Sequence, residues 1–201
     1  KTKKRGSLIV ISGPTCAGKD SICRELLKIN DNIWKSVSYT SRPIRGNEVD
    51  GVDYYFVTKE EFEKKIRNGE MLEYAQVHYN DYYGTPKEHI KEKLDAGYDV
   101  ILVIDIQGAI QIKEKVSEAI FIFILAPSME EIRNRLIKRG YENDDQMIER
   151  FKTAYREINE LTKYNYVVVN DDLYEAVNKV NSIIISEKCR VDRIEDVYLS
   201  N

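Results

Sequence analysis

The sequence predicts an α/β domain with a central parallel sheet, and three observations support this. Four short runs are apolar, as in strands buried on both faces of a sheet: Leu8–Ile11, Val100–Ile104, Ile120–Leu125 and Tyr166–Val169. Segments with helical periodicity separate these runs, and such alternation is typical of parallel sheets. Residues 38–97 break the alternation, so we expect a lobe inserted between strands of the sheet.

The first helix is predicted from Lys19 to Ile29, directly after the first apolar run. Its apolar residues Ile22, Leu26 and Ile29 recur at helical spacing, so we expect all three on the buried face. Between run and helix lies a glycine-containing loop, which gives a strand–loop–helix unit.

Within the inserted lobe, two segments have the composition of strands, Tyr54–Val57 and Met71–His78. Thr58-Lys59-Glu60-Glu61 is a capping box for a helix that ends near Gly69. Thr85-Pro86 is predicted to cap another helix, with proline at its first position, that ends near Gly97.

Three further helices are predicted after the lobe. Ser128-Met129-Glu130-Glu131 is a capping box for the first, whose inner face carries Ile132 and Leu136. Asp144 is expected to cap the second, which runs towards Lys163. Asp172 is expected to cap the third, and its inward residues are Ala176, Val177, Val180 and Ile184. The segment after Cys189 has weak periodicity, like a frayed helix end.

Composition excludes several classes of protein. The 201 residues are 42% hydrophobic and 32% charged, which indicates one globular domain, or one domain with an inserted lobe. A net charge of −3 argues against a nucleic-acid partner. Cys16, Cys23 and Cys189 show no metal-ligand spacing, so reduced thiols in the cytoplasm are expected. No apolar run is long enough for a membrane helix. A monomer or homodimer is expected.

The loop after the first strand has the pattern of a phosphate-binding loop, G-x-x-x-x-G-K. Its residues are Gly13, Pro14, Thr15, Cys16, Ala17, Gly18 and Lys19. The glycines allow backbone N–H groups to point at phosphate oxygens, and the following helix presents its positive end to the same anion. Lys19 supplies a mobile cation for the β- and γ-phosphates. A glycine-rich turn without a ligand is the alternative, and the strand–loop–helix setting argues against it.

Three polar clusters point to a second phosphorylated ligand. Arg42 and Arg45 lie three residues apart after a strand, where they could grip a phosphate; the alternative is a solvated surface pair. Glu73 precedes a Tyr82-Tyr83-Gly84-Thr85 run. Asp105 follows the second buried strand, at the edge where open α/β sheets place ligands.

In this order and spacing, the motifs resemble guanylate kinase, and the resemblance extends from about Leu8 to Glu187. It includes five runs, which are specific only in combination: Ser-x-Thr-x-Arg-x-x-Arg from Ser38, Glu-Val-x-Gly-x-x-Tyr from Glu48, Leu72-Glu73, Tyr82-Tyr83-Gly84-Thr85, and Val-Asn-Asp-Asp at 169–172. The resemblance implies a P-loop three-layer fold with a central parallel sheet, an inserted mixed-sheet GMP-binding lobe and a helical lid. The ATP-binding core would comprise residues 1–37 and 98–201, with the lid at about 138–150 and the lobe at 38–97.

The resemblance also implies the residue roles for an Mg²⁺-dependent, reversible in-line transfer of the ATP γ-phosphate to GMP. The GMP-binding residues would be Ser38, Arg42, Arg45, Glu48, Tyr54, Glu73, Tyr83, Thr85 and Asp105. The ATP-binding residues would be those of the loop together with Asp20, Ser21, Asn170 and Asp171. The catalytic residues would be Lys19, Arg42, Asp105, Arg139 and Arg150. Magnesium would lie near Asp20, Ser21 and Asp105.

The sequence departs from the family pattern at three places. Asp20 stands where the strict loop motif has a Ser or Thr that ligates magnesium. Val103 is apolar where many members carry an acid. The 77–81 loop is one residue longer than usual, so the assignment of Tyr83 rather than Tyr82 rests on its adjacency to Gly84. His78 in this loop is interpreted as an exposed turn residue rather than a catalytic base.

Two alternatives remain at this stage. One is a guanylate-kinase-like protein-binding module with weakened catalysis, which the Asp20 and Val103 departures favour. The retained Lys19, Arg42 and Glu73 argue for an enzyme instead. The other is a kinase of another small phosphorylated substrate, against which the base-recognition pair Ser38 and Glu73 argues.

Overall fold

The computed structural model describes residues 5–77, 80–140 and 144–193, with the backbone alone for Val77 and Asp144. The strands in chain order are β1 (Leu8–Ser12), β2 (Ile33–Lys35), β3 (Tyr39–Thr40), β4 (Tyr55–Phe56), β5 (Met71–Val77), β6 (Asp81–Pro86), β7 (Asp99–Val103), β8 (Ile120–Leu125) and β9 (Tyr166–Val169). The helices are α1 (Lys19–Ile29), α2 (Lys59–Arg67), α3 (Lys87–Asp95), α4 (Ile106–Lys115), α5 (Met129–Lys138), α6 (Asp144–Ile158) and α7 (Leu173–Glu187).

The central sheet has the strand order β2-β7-β1-β8-β9, and every neighbouring pair is parallel. Its interior strands are apolar along their length because both faces are covered by helices. All five residues of β1 are buried. The carboxyl ends of β1, β7 and β9 therefore meet at one edge, which positions the phosphate loop beside Asp105 and Asn170.

Helices cover both faces, which makes three layers. On one face, α1 and α7 pack through residues such as Leu26 and Val180 against Ile9 and Ile101. On the other face, α3 and α4 bury Leu94 and Ile112 against the same sheet. The predicted α/β class with a parallel sheet is confirmed.

The inserted segment forms a second, mixed sheet in the order β4-β3-β6-β5. The β3–β4 pair is parallel, whereas β3–β6 and β5–β6 are antiparallel. Strand β5 reaches the core through α4, because the Lys115 ammonium donates to the Leu72 carbonyl and the Gln111 amide donates to that of Tyr74. The exact bounds of the lobe stay a prediction.

Several local predictions need correction. Ile29, the last residue of α1, is 53% exposed, and Cys23 takes its place on the buried face. Thr85 does not cap α3: it lies in β6 with its hydroxyl turned to Glu73, and Pro86 is the N-cap rather than the first helical residue. Helix α6 ends at Ile158, and a separate 3-10 turn covers Leu161–Lys163.

Other capping predictions are confirmed. Thr58 and Glu61 form a reciprocal capping box on α2, and Asp172 accepts the Glu175 amide at the start of α7. Ser128 accepts the Glu131 amide, although the Glu131 side chain turns to Arg135 instead of completing the box. The side chain of Asp144, His78 and the end of the C-terminal segment lie outside the described residues. No described helix is long and apolar enough to cross a membrane.

Candidate active site

The phosphate loop joins the carboxyl end of β1 to α1. Gly18 has φ 93°, in the region that favours glycine, and a Cβ added there would lie 2.2 Å from the Asn170 side-chain nitrogen. No side chain caps the first turn of α1. Its amides are therefore available to an anion at the positive end of the helix.

Lys19 bends back over the loop, and its ammonium donates to the Gly13 carbonyl at 2.5 Å. Burial lowers the pKa of Lys19, while the carboxylates of Glu157, Asp20 and Asp105 oppose that shift. Arg139, the C-cap residue of α5, adds to the lowering, so its charge acts on Lys19 of the loop. Cations and carboxylates therefore act together on Lys19 at the loop.

A cavity of about 370 Å³ opens across from the loop, between the mixed sheet and the end of β7. Its lining combines predicted ligand-binding residues with apolar neighbours: Ser38, Tyr54, Glu73, Ala75, Tyr83, Gly84, Val103, Ile104 and Asp105. Five of these were singled out from the sequence alone. A pocket of this size with a few convergent polar groups is typical of small-molecule sites.

Glu73 is the buried carboxylate of this cavity, 6% exposed on β5. The Thr85 hydroxyl donates to its Oε1 at 2.6 Å. Burial raises the pKa of Glu73 to about 7; the Thr85 hydrogen bond lowers it, Asp105 raises it and Lys115 lowers it. A Cβ at Gly108 would lie 3.0 Å from Glu73 Oε2, so glycine lets α4 approach the carboxylate closely.

Arg42 contacts two of the tyrosines that line the cavity, and every side-chain nitrogen of Arg42 is engaged. Nη1 and Nη2 donate to Glu48 at 2.8 and 2.5 Å, and Nε donates to the Tyr83 hydroxyl at 3.0 Å. The Arg42 hydrogen bonds lower the pKa of Glu48 to about 2. The Tyr54 ring lies 5.1 Å from the Arg42 guanidinium. These contacts assemble a cationic centre walled by two tyrosines.

The structure does not bring every predicted residue into this centre. Arg45 is exposed, and it contacts the centre through its backbone amide, which donates to Glu48 at 2.9 Å. Tyr82 points away and stacks on Phe62, with ring centroids 5.0 Å apart. Tyr83 is therefore the tyrosine of the pair that faces Arg42.

Asp105 connects the two halves of the site. It caps α4, because its Oδ1 accepts the Gly108 amide at 2.8 Å. Its charge also acts on Lys19 and on Glu73, so it lies between the phosphate loop and the cavity. The carboxylate of Asp20 is exposed in the first turn of α1.

Magnesium is bound by one or two carboxylates, several waters and substrate phosphates, rather than by an all-protein cage. Within the described residues, no group of three His, Cys, Asp or Glu side chains is arranged to hold a metal. Asp20, exposed at the loop, and Asp105, with one oxygen outside its helix cap, fit the sparser type of site.

Asn170 supports the loop from behind. Its side-chain amide donates to the Ala17 carbonyl at 2.9 Å, and it is 6% exposed. Asp171 beside it is exposed. Arg150, on α6, lowers the pKa of Glu157, which burial raises. Residues 141–143 of the predicted lid lie outside the described part of the chain.

Sequence reasoning missed two residues that contact the loop. Arg135 on α5 donates to the Cys16 carbonyl at 3.1 Å. Glu157 on α6 is a half-buried carboxylate within hydrogen-bonding reach of the Thr15 amide. Both residues lie among other charged residues on helices that have a solvent-facing side, so the sequence does not distinguish them from surface charges. Only their spacing from Arg139 and Arg150 could have suggested a contact with the loop.

Comparisons with known proteins agree with this geometry. The family model described as guanylate kinase matches residues 5–187. The chain is 59% identical to a guanylate kinase from Clostridium tetani, over 98% of this chain and 93% of that protein. It is 55% identical to one from Caldanaerobacter subterraneus subsp. tengcongensis, over 98% and 95%.

Solved structures show the same similarity. A guanylate kinase crystal structure from Anaplasma phagocytophilum superposes with a TM-score of 0.78 at 36% identity, covering 95% of this chain and 90% of that one. A shikimate kinase from Bacteroides thetaiotaomicron shares the fold alone, with a TM-score of 0.52 at 12% identity over 89% and 98%.

Proposed function

The chain belongs to the guanylate kinase family, and from that premise we propose that it transfers the γ-phosphate of ATP to GMP, giving ADP and GDP. The observation that carries the proposal is the pairing of two sites across Asp105. A phosphate loop lies on one side, and a cavity with a buried carboxylate and a cationic centre lies on the other.

Glu73 gives the acceptor site its selectivity for guanine. An ionised carboxylate accepts both the N1–H and the 2-amino hydrogen of guanine, and adenine has no matching pair of donors. A buried acceptor left unpaired by the wrong base supports discrimination on the order of 10⁴-fold. The Thr85 hydroxyl, which donates to Oε1 at 2.6 Å, holds the carboxylate in place for this contact.

The cationic centre takes the GMP phosphate. Arg42 reaches it from the segment that follows β3, oriented by Glu48 and Tyr83. The phosphate oxygen of GMP then attacks the γ-phosphate in line, so the chain needs no nucleophile or general base of its own. Catalysis consists of positioning and of neutralising charge on the transferring group. Lys19, Arg139 and Arg150 supply that charge from the loop and the lid.

Magnesium, when bound with ATP, neutralises charge on the β- and γ-phosphates. Asp20, Ser21 and Asp105 are the residues that would hold it or its waters. The cytoplasm is the proposed compartment, in keeping with three free thiols.

Transfer of label tests the proposal directly. ATP labelled in its γ-phosphate is incubated with the protein, GMP and magnesium, and the nucleotides are separated. Label in GDP, lost in a Lys19→Ala variant, is the expected result. Label that stays in ATP at saturating magnesium would contradict the proposal and favour a binding module.

A further inference from the structure

Arg135 contacts the phosphate loop through the backbone carbonyls of the loop. Its Nη1 donates to the Cys16 carbonyl at 3.1 Å and lies 3.5 Å from the Ala17 carbonyl. Its Nη2 donates to the Asn170 carbonyl at 3.0 Å. One planar guanidinium therefore joins α5, the loop and the end of β9.

Glu131 fixes the direction of this guanidinium. Its Oε1 accepts Arg135 Nε at 2.7 Å, one helical turn earlier on α5. The Arg135 side chain is 23% exposed and that of Glu131 is 34% exposed, so water competes only partly for the pair. With Nε held, Nη1 faces the loop and Nη2 faces the Asn170 carbonyl.

Cys16 shows why the loop needs such support. It has φ 63°, a conformation that residues other than glycine seldom adopt and that persists only when surrounding contacts enforce it. It is 6% exposed and packs with Ile132 and Leu136 of α5 and Ala154 of α6. The Arg135 hydrogen bond holds the carbonyl of this same residue.

The contacts also set the direction of a neighbouring amide. A trans peptide points its C=O and N–H in opposite directions. The Ala17 carbonyl is held outward by the Asn170 amide at 2.9 Å, with Arg135 close by. The Gly18 N–H of the same peptide therefore points the opposite way, into the loop.

From these contacts we infer that Arg135, oriented by Glu131, is a positioning residue that holds the Cys16–Gly18 segment in its anion-binding form before nucleotide arrives. The inference rests on the proposed function only in that the anion is a phosphate of ATP. Support of this kind raises affinity because the loop does not have to be ordered on binding.

Alkylation of Cys16 in the nucleotide-free protein reports on this loop without any catalysis. Cys189 is exposed and is first replaced by serine, whereas Cys23 is 1% exposed and labels only if the fold opens. Iodoacetamide labelling of Cys16 is followed by mass spectrometry. We expect Arg135→Ala and Arg135→Lys to label about tenfold faster or more, because lysine cannot span two carbonyls.

Matched variants define the control. Glu131→Gln should label faster by a smaller factor, because it releases Arg135 without removing it. Arg133→Ala removes a cation from the exposed face of the same helix and should label at the wild-type rate. The Kd for ADP should rise about tenfold in both Arg135 variants, with the Kd for GMP unchanged.

Wild-type labelling in both Arg135 variants would overturn the inference, even if ADP binding weakened, because the residue would then act by touching nucleotide. Unchanged ADP affinity would overturn it too. If Cys23 is labelled in Arg135→Ala, the fold of that variant has opened. The labelling rate of Cys16 in Arg135→Lys then decides the inference alone. Absence of GMP turnover in the wild type would refute the proposed function and leave the labelling result standing.

Discussion

GMP affinity is predicted to fall as the pH drops through about 7, because Glu73 takes up a proton in that range. Burial raises its pKa to about 7, the Thr85 hydroxyl and the charge of Lys115 hold it down, and Asp105 pushes it up. A protonated carboxyl turns a hydroxyl towards one of the two guanine donors. The KM for GMP should therefore rise about tenfold for each pH unit below the pKa, with the KM for ATP much less affected.

GMP itself complicates the assay, since a phosphate monoester also protonates near pH 6. Thr85→Val separates the two effects. It removes the hydrogen bond that lowers the pKa of Glu73, so the midpoint of the KM profile should move upwards, whereas the ionisation of GMP is the same with either protein. Steady-state KM values for GMP from about pH 5.5 to 8.5 give both midpoints. Identical midpoints in the two proteins, or a KM for GMP that does not change with pH, would show that the proton taken up is not on Glu73.

The same carboxyl links pH to folding stability. A raised pKa contributes stability that is fully present below the unfolded value of 4.5 and is lost as the pH rises through about 7. The difference between the folded and unfolded pKa values corresponds to about 3 kcal/mol in the free energy of unfolding. Glu73→Gln should therefore unfold at higher urea than the wild type at about pH 8, with the difference closing towards the unfolded pKa. Equal stabilities at high pH would contradict the burial argument.

Three further predictions concern other charges. Asp20→Thr should lower the magnesium concentration at half-maximal rate, because it removes a negative charge beside the triphosphate; an unchanged titration would refute this. Glu48→Gln should raise the KM for GMP about tenfold without changing that for ATP, because Arg42 loses a bidentate partner at 2.5 and 2.8 Å. An unchanged KM for GMP in steady-state kinetics would contradict this prediction. Asp99→Ala should lower the free energy of unfolding in urea by about 3 kcal/mol, since the fully buried carboxylate pairs with Lys188 and accepts the Ser7 amide at 2.9 Å. A decrease below about 1 kcal/mol would contradict this, because that is the contribution of an exposed ion pair.

The sequence predicts those parts of the fold that depend on local pattern. Continuous apolar runs indicate β1, β7 and β8 because both faces of those strands are buried. The run at β9 is apolar as well, but β9 is an edge strand in which Val167 and Val169 are 49% and 44% exposed. Helix α1 matches its predicted bounds, since glycine ends the loop and a polar residue follows the last turn. Ile29 was placed wrongly because periodicity does not show where the covering sheet ends.

The sequence predicts those residues of the candidate site that lie in short motifs of polar and charged residues. Glu73, Arg42 and Asp105 have such motifs, and the cavity brings two of them together with Tyr83. Arg135 had none, because its role depends on carbonyls of the loop and of Asn170 that are distant in sequence. Thr85 was misassigned because a Thr-Pro pair favours a helix cap, and only the β5–β6 pairing reveals Glu73 opposite it.

Turnover across a panel of acceptors shows whether the protein is a GMP kinase and whether Glu73 selects guanine. ADP release is coupled to a spectroscopic signal with ATP, saturating magnesium and, in turn, GMP, AMP, CMP, UMP or no acceptor. We expect rapid ADP release with GMP and, at the same acceptor concentration, rates lower by orders of magnitude with the others. Equal turnover with AMP would contradict the role of Glu73, and no GMP-dependent turnover would contradict the assignment as a kinase.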